Sequence, residues 1–226
     1  MHVNKRTTRE RVDAWLRRHC ASPWRDELAE EQYDDVHRVA MRCLKESEED
    51  ATAASPRSEP LRRLTHGKPG VGKSKVILTI VAFFEDCLGW KRGLQFHICT
   101  LQAILASALG GETCHHIAGV NPFKKFIMDD GCPEAHVATE TLQVRHLMTR
   151  WLLIDECFMN SAQLKAGMES NIRGAISETS SYKICRNGER AWGGLNVLEF
   201  GDTINSIALK GCHCIRFRVN IFLTFV

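Results

Sequence analysis

The 226-residue sequence has no long apolar run and no cysteine pair of the C-x-x-C kind. No apolar stretch approaches the ~18 residues that a membrane-spanning helix needs, and no secretory signal follows Met1. Its ten cysteines are scattered from Cys20 to Cys214, which favours free buried thiols in a reducing compartment over a disulfide scaffold. These absences argue against secreted and membrane proteins, and they predict an intracellular protein with no membrane partner.

An excess of charge of one sign is also lacking, because the net charge is only +3 at neutral pH. Such a balance neither demands nor excludes a polyanionic partner. Residues 114–116 and 212–214 carry metal-binding side chains, but neither tract has a second ligand pair at zinc-finger spacing, so no metal centre is predicted there. With 44% apolar residues, the chain has enough material for one α/β domain with flanking segments.

Four regions follow one another along the chain. Residues 1–27 are basic and show no clear period. Residues 28–60 begin with a helical pattern over 28–45 and end in an acidic segment, 46–60, that is rich in Ser, Ala and Pro and is expected to be a linker or exposed loop. Residues 61–202 carry the motifs, and residues 203–226 form an atypical tail whose apolar end has no obvious partner.

Residues 61–202 alternate short apolar runs with helical patterns, which is typical of βα units on a parallel sheet. The predicted strands span 61–65, 94–99, 151–155 and 195–200. The predicted helices span 73–87, 101–109 and about 161–176, with some helix expected within 132–149. The fold class is therefore α/β, a parallel sheet flanked by helices and preceded by an N-terminal helix.

Residues 67–74 match the P-loop pattern G-x-x-x-x-G-K-[ST]. Glycines there allow successive main-chain N–H groups to point at a phosphate, and the helix that follows adds its positive end. The residues expected to bind the nucleotide are Gly67, Lys68, Pro69, Gly70, Val71, Gly72, Lys73 and Ser74. Lys73 would bring its charge to the β- and γ-phosphates of ATP, and Ser74 would ligate Mg²⁺. The alternative is a glycine-rich strand–helix turn that carries Lys and Ser by chance.

Two acids follow the apolar run at 151–154. Asp155 would hold Mg²⁺, directly or through water, and Glu156 would take a proton from the attacking water as general base. The alternative is a buried strand that merely ends in two solvated acids. Because a P-loop needs a carboxylate at the end of a neighbouring strand, Lys73, Asp155 and Glu156 are the predicted catalytic residues.

The order of these segments resembles that of the Pif-type DNA helicases, the RecD-like branch of helicase superfamily 1. The similar segments are 28–32 (the family's Q motif), 102–119 (its motif Ia region), 155–159 (its Asp-Glu-Ile-Ser-Met signature) and 192–202 (the strand that leads into motif III). The resemblance implies a RecA-like P-loop domain over residues 61–202. It also implies that Gln32 reads the adenine edge of the nucleotide.

By the same resemblance, Thr100, Thr113 and His115 contact single-stranded DNA. Ordinary alternatives exist, because Gln32 fits the polar face of a helix, and His115 with its neighbour His116 fits a helix start. Members of the family are ATP-dependent DNA helicases of the 5′→3′ type. The resemblance therefore implies a protein that couples ATP hydrolysis to DNA unwinding in DNA repair, recombination or telomere maintenance. Single-stranded or duplex DNA is the implied partner, and the nucleus or mitochondrion is the implied location.

The chain departs from the family after Asp202. The family continues Gly-Asp-Phe-x-Gln-Leu-Pro-Pro, whereas Asn205 stands here at the glutamine position and both prolines are absent. The second RecA-like domain has no counterpart, so this chain is expected to hold only the first motor domain; a truncated gene product or an imperfect gene model would explain the break. Since helicases close two domains around ATP, we expect ATP·Mg binding, slow or absent hydrolysis and no unwinding by this chain alone.

Two other functions stay open. One is a nucleotide-binding fragment or interaction module without turnover, and the other is a different P-loop ATPase such as a ring-forming motor or a small-substrate kinase. A kinase would need an arginine-rich lid, for which residues 123–130 are a poor candidate. The basic pairs at 62–63, 124–125 and 216/218 are further candidates for nucleic-acid contact.

Overall fold

The computed structural model describes residues 8–20, 28–52, 57–121, 139–185, 188–202 and 222–225. They divide into two units. The helical unit comprises Met1–Arg57 and Gly72–Lys91, and the sheet unit comprises Ser58–Val71 and Arg92–Val226, each as far as it is described.

The described part of the helical unit contains three α-helices. They are α1 (Arg9–Cys20), α2 (Glu30–Ala51) and α3 (Lys73–Ala82), the last continued by a π-helical turn over Phe83–Cys87. The helix predicted over 73–87 is therefore confirmed. In α2 the predicted apolar stripe is also confirmed, because its five members are all buried: Val36, Val39, Ala40, Cys43 and Leu44.

Helix α1 lies in the basic N-terminal segment, for which the sequence pattern predicts no helix or strand. Val12, Trp15 and Leu16 are buried at helical spacing, and Cys20 continues the stripe one turn later. The Trp15 ring meets the Phe83 ring edge-on, with 5.2 Å between their centroids, so α1 packs against the turn that ends α3. Basic residues between the apolar ones conceal this narrow stripe.

Helix α2 runs past residue 45 into the segment expected to be a linker. Arg42 and Glu46, four residues apart, form an ion pair at 3.0 Å with both side chains almost fully buried. Glu46, which the acidic composition of the segment places in an exposed linker, is thus a buried residue of α2, and the helix continues to Ala51. Glu and Lys are good helix formers, so the acidic composition of this segment does not oppose helix.

The sheet unit is built on a parallel sheet. Its strands are β1 (Arg62–Gly67), β2 (Phe96–Thr100), β3 (Glu112–Thr113), β4 (Trp151–Ile154), β7 (Asn196–Asp202) and β8 (Phe222–Phe225), and a separate antiparallel hairpin is formed by β5 (Ile184–Cys185) and β6 (Gly188–Glu189). The order across the sheet is β3-β2-β4-β7-β1-β8, with every neighbouring pair parallel. The four predicted strands are confirmed with small shifts at their ends.

Strand β8 corrects one expectation about the tail. The apolar end of the chain pairs in parallel with β1, with Phe222 opposite Arg63 and Phe225 opposite His66. A run of alternating Phe, Leu and Thr has high β-propensity, but its partner lies far away in sequence and no local pattern names it. The other residues of the tail, including Asn205, lie outside the described residues.

The remaining helices of the sheet unit are α4 (Ala103–Ala108), α5 (Cys114–Ala118), α6 (Thr139–His146) and α7 (Ala162–Ala175). The predicted stripe of α7 is confirmed, because its members are buried: Leu164, Met168, Ile172, Ala175 and Ile176. Most of them share one apolar cluster with α5 and with Leu152, Ile154 and Val197 of the sheet. Each such side chain contributes about 1.5–3 kcal/mol when buried, so this layer holds the sheet unit together.

The described cysteines are free, and all but the half-buried Cys185 are buried, as the sequence predicts. Among the helices described, none combines the length and the apolar character needed to cross a membrane.

Candidate nucleotide-binding site

The parallel sheet brings several predicted site residues to one edge. All strands run the same way, so their carboxyl ends meet there. Gly67 of β1 lies opposite Asp202 of β7, and Ile154, the last residue of β4, lies opposite Glu199. Within the sheet unit, the start of the P-loop and the pair that follows Ile154 therefore leave the sheet at the same edge, on either side of β7.

The phosphate loop, residues 67–74, begins at the end of β1 and runs into α3. Lys68, Pro69 and Gly70 are exposed. Gly70 and Gly72 have φ angles of 82° and 86°, a left-handed conformation that glycine adopts without steric cost. A Cβ placed on Gly70 would meet nothing within 4 Å, so the space beside this exposed glycine is open.

Lys73 and Ser74 are the first two residues of α3 and belong to the helical unit, whereas residues 67–71 belong to the sheet unit. Ser74 is exposed and Lys73 is half-buried. Gly72 is the N-cap of α3, and no side-chain cap closes this helix start among the described residues. The first turn of a helix offers main-chain N–H groups and a positive dipole end, which suit a phosphate.

Gln32 lies beside the phosphate loop within the helical unit. Its Oε1 accepts a hydrogen bond from the N–H of Ala29 at 3.0 Å, which caps the start of α2. A Cβ on Gly72 would come within 2.7 Å of Gln32 Nε2, so the amide packs directly against the loop. The structure thus brings together two predicted nucleotide residues that are distant in sequence, and Gln32 is nearly buried rather than solvated.

The acidic turn, residues 155–160, follows β4. The N–H of Asp155 donates to the Cys99 carbonyl at 2.8 Å, and Asp155 Oδ1 accepts from the N–H of Glu156 at 3.0 Å. Glu156 itself is left-handed, with φ 50° and ψ 40°, a conformation that costs a non-glycine residue about 1 kcal/mol or more. The predicted general base therefore sits on strained backbone, for which the sequence carries no signal.

An ion pair that sequence reasoning missed is built into the same unit. Lys165 Nζ of α7 lies 2.8 Å from Glu199 Oε1 of β7. Burial is the largest single effect and opposes the charge of Lys165, but the Glu199 carboxylate, together with Cys157 and Cys114, outweighs it and raises the pKa of the lysine. Burial also raises the pKa of the Cys157 thiol to about 12, so this cysteine of the acidic turn stays protonated. The signal in the sequence that could have indicated this ion pair is Glu199, an acid between apolar residues of β7.

The candidate DNA segment, residues 111–116, starts at the same edge, because Thr113 lies opposite Thr100 at the ends of β3 and β2. Thr113 Oγ1 accepts the N–H of His116 at 3.2 Å and caps α5. His115 is half-buried, and this burial lowers its pKa. Thr100 is fully buried, which does not fit the expectation of a direct DNA contact.

Among the described residues, the predicted basic pair at 62–63 forms no exposed patch. Arg63 is buried and Arg62 is half-buried with its guanidinium 3.9 Å from Glu59. The pairs at 124–125 and 216/218 lie outside the described residues.

Comparison with known proteins gives matches by structure alone, since no protein-family model and no curated protein matches the chain. The Pif1 helicase from Candida albicans matches with a TM-score of 0.55 at 18% identity, over 79% of this chain and 33% of that one. Bacteroides sp Pif1 in complex with ADP-AlF4 matches with a TM-score of 0.51 at 20% identity, again over 79% and 33%. Bacteroides Pif1 bound to ssDNA has a TM-score of 0.48 at 18% identity, over 79% and 32%.

At these identities the likeness concerns the fold. The chain has a fold like that of the Pif1 structures, a parallel sheet with flanking helices as in a RecA-like domain. The predicted fold class is confirmed. The chain spans about a third of the length of the Pif1 structures that it matches.

Proposed function

We propose that this chain binds ATP with Mg²⁺ and is an ATP-hydrolysing motor domain of the helicase type. One observation carries the proposal: within the sheet unit, the start of the phosphate loop and the acidic turn leave a parallel sheet at one edge, on either side of β7. Nucleotide chemistry needs this combination, because a phosphate cradle and a metal-binding carboxylate must face the same ligand. The fold likeness to the Candida albicans Pif1 helicase supports the helicase type.

The residues present fit the ligand. The open loop with two left-handed glycines suits a phosphate, and Lys73 would add a full charge to it. Ser74 and Asp155 would hold Mg²⁺, whose charge offsets the negative charge of the phosphate oxygens. Glu156 would accept the proton of the attacking water, and Gln32, packed on Gly72, would contact the adenine.

DNA is the proposed partner. Thr113 and His115 lie near the carboxyl edge of the sheet, whereas the buried Thr100 would act only through its neighbours. Because burial lowers the pKa of His115, its ring is neutral near pH 7 and suits stacking on a base better than pairing with a phosphate. Unwinding in the 5′→3′ direction, roles in repair, recombination or telomere maintenance, and a nuclear or mitochondrial location rest on the family resemblance alone.

A second candidate function is nucleotide binding without turnover. A helicase completes its ATP site with an arginine from a facing domain, and such an arginine contributes ~10³–10⁵ to the rate in related sites. Tested alone, residues 1–226, which span about a third of the matched Pif1 structures, are expected to bind ATP·Mg, to hydrolyse it slowly or not at all, and to unwind nothing.

The test is the affinity for a fluorescent, non-hydrolysable ATP analogue. We expect Lys73→Ala to weaken binding about 30-fold, since a charge-assisted hydrogen bond contributes about 2 kcal/mol. Lys75→Ala, two residues further along α3, is the matched control and should bind like the wild type. If the Lys73→Ala variant bound the analogue as tightly as the wild type does, the proposed phosphate-binding site would be refuted.

A second measurement separates the two functions. ATP hydrolysis is followed with and without a single-stranded oligonucleotide, for the wild type and for Glu156→Gln. Turnover that rises with DNA and disappears in Glu156→Gln supports the motor domain. Binding without any turnover, with or without DNA, supports the nucleotide-binding module.

A further inference from the structure

The end of β7 lies between the two halves of the site in the sheet unit. Gly201 is opposite His66, the residue before the phosphate loop, and Asp202 is opposite Gly67, its first residue. On its other side β7 pairs with β4, from which the acidic turn departs. Gly201 therefore occupies the strand that separates the phosphate loop from the acidic turn.

Gly201 has neighbours where its side chain would be. A Cβ built there would come within 2.5 Å and 2.9 Å of two ring carbons of Phe158, and within 3.0 Å of Cys157 Sγ. Real Cβ atoms essentially never approach a heavy atom closer than 3.0 Å, so the Phe158 ring fills the space of the missing side chain. Gly201 is not among the glycines with positive φ, so space and not backbone conformation requires it.

The acidic turn is thus seated on β7 through this contact. Cys157 is fully buried, Phe158 packs against the apolar cluster, and the turn closes by a hydrogen bond from Met159 N–H to the Glu156 carbonyl at 2.9 Å. The left-handed Glu156 stands at the start of the turn. Strained backbone of this kind persists only where surrounding contacts over-determine it, and the seat on Gly201 is such a contact.

We infer that Gly201 is a positioning residue of the nucleotide site: its missing side chain seats Cys157 and Phe158 on β7, and this seat holds Asp155 and Glu156 in the orientation that Mg²⁺·nucleotide requires. The inference rests on the proposed function. It concerns the acidic half of the site, so it affects the part of the affinity that depends on Mg²⁺ and leaves the contribution of the phosphate loop unchanged.

The test is Gly201→Ala, with the affinity for the same analogue measured in Mg²⁺ and in EDTA. The gain in affinity that Mg²⁺ provides should fall at least fivefold, while the affinity in EDTA stays within twofold of the wild type. Gly174→Ala is the matched control, because a Cβ on this glycine of α7 would meet nothing within 4 Å. It should keep both affinities.

Phe158→Ala supplies a second route that does not depend on how well Gly201→Ala folds. Removing the Phe158 ring abolishes the contact with Gly201 without changing β7, so the gain in analogue affinity that Mg²⁺ provides should fall about threefold. In this background Gly201→Ala should cost much less, because the two closest atoms to the new methyl group are gone and Cys157 Sγ, at 3.0 Å, needs to shift by only a few tenths of an ångström. A merely structural role would lower stability without a loss specific to Mg²⁺ and would not be cancelled by Phe158→Ala.

The outcomes are separable. Three results overturn the positioning role and leave the proposed function standing. The first is a Gly201→Ala variant that gains as much affinity from Mg²⁺ as the wild type does. The others are a loss of affinity as large in EDTA as in Mg²⁺, and a loss caused by Gly201→Ala that is the same whether Phe158 is present or replaced by Ala. Failure of the wild type to bind the analogue, or equal binding by Lys73→Ala, refutes the proposed function and the positioning role with it.

Discussion

The two edges of the parallel sheet are built in opposite ways. At the amino edge, polar groups are buried and bonded to one another. Asn196, fully buried at the start of β7, accepts the N–H of Leu61 at 2.7 Å and donates to the Arg150 carbonyl at 3.2 Å. His97 Nε2 lies 3.1 Å from Thr149 Oγ1, also in a buried position.

At the carboxyl edge the chain leaves the sheet in exposed or strained conformations. Lys68 and Gly70 of the phosphate loop are exposed, and Glu156 of the acidic turn is left-handed. A site that binds a ligand needs accessible polar groups and a fixed geometry, and both lower stability. The comparison indicates that the amino edge contributes stability, which the carboxyl edge would give up for the proposed nucleotide binding.

Asn196→Ala should show the largest effect, because it opens the amino edge. The variant leaves the Leu61 N–H without its partner and removes a buried side chain, which we expect to lower the free energy of unfolding by about 3 kcal/mol. Nucleotide affinity of the folded protein should stay within twofold, since no site residue is touched. Urea unfolding and analogue binding measure the two quantities.

Asn171→Ala is the matched control for this prediction. Asn171 is half-buried on α7 and donates one hydrogen bond, to the Ala118 carbonyl at 2.9 Å, so its loss should cost about 1 kcal/mol. Two results would contradict the proposed difference between the edges. One is a loss in free energy of unfolding for Asn196→Ala that does not exceed the loss for Asn171→Ala. The other is a loss of nucleotide affinity in Asn196→Ala as large as its loss of stability.

His97 gives a smaller effect that depends on pH. Burial, with the nearby charges of His146 and Arg145, lowers its pKa to about 4 from 6.5. The unfolded chain therefore binds a proton that the folded chain does not, so stability is full above pH ~6.5 and falls as the pH drops towards 4. At pH 5 this loss is about 2 kcal/mol.

Urea unfolding at pH 7 and pH 5 tests it, with His97→Gln as the comparison. The amide of glutamine keeps a hydrogen-bonding group near Thr149 but does not titrate, so the variant should lose about 2 kcal/mol less than the wild type between the two pH values. His146, whose pKa is also lowered by burial, titrates in both proteins, but its ring centroid lies 5.3 Å from that of His97, so the difference also contains the interaction between the two rings. Equal pH dependence would contradict the prediction.

The sequence predicted what local patterns encode. The phosphate loop follows from residue types at fixed spacing, and the stripes of α2 and α7 follow from helical periodicity. The carboxylates after β4 follow from an apolar run that ends in Asp155. These features lie on contiguous segments, so no knowledge of distant contacts is needed to find them.

The supporting contacts could not be predicted, because they join segments that are distant along the chain. In the sequence Gly201 looks like any other glycine, and only the structure shows the Phe158 ring in the space that a side chain at position 201 would fill. Likewise, β8 pairs with a strand more than a hundred residues earlier in the chain. Asn196 stands out as a polar residue at the start of a strand, but the sequence does not name Leu61 as its partner. Nothing in the residue type of Glu156 indicates a left-handed backbone, since tertiary packing imposes it.

Glu156→Gly should have the smallest effect on stability and the opposite sign. Glycine accepts the left-handed conformation without the steric cost of a Cβ, and this gain exceeds its entropic cost in the unfolded chain, so the free energy of unfolding should rise by about 0.5 kcal/mol. Glu48→Gly, at an exposed right-handed position in α2, should instead lose about 1 kcal/mol. Urea unfolding of both variants gives the comparison, and a loss in Glu156→Gly as large as that in Glu48→Gly would mean that the acidic turn is not strained. Since the same substitution removes the proposed general base, a gain in stability together with the loss of whatever turnover the wild type shows would support a trade of stability for chemistry at the carboxyl edge.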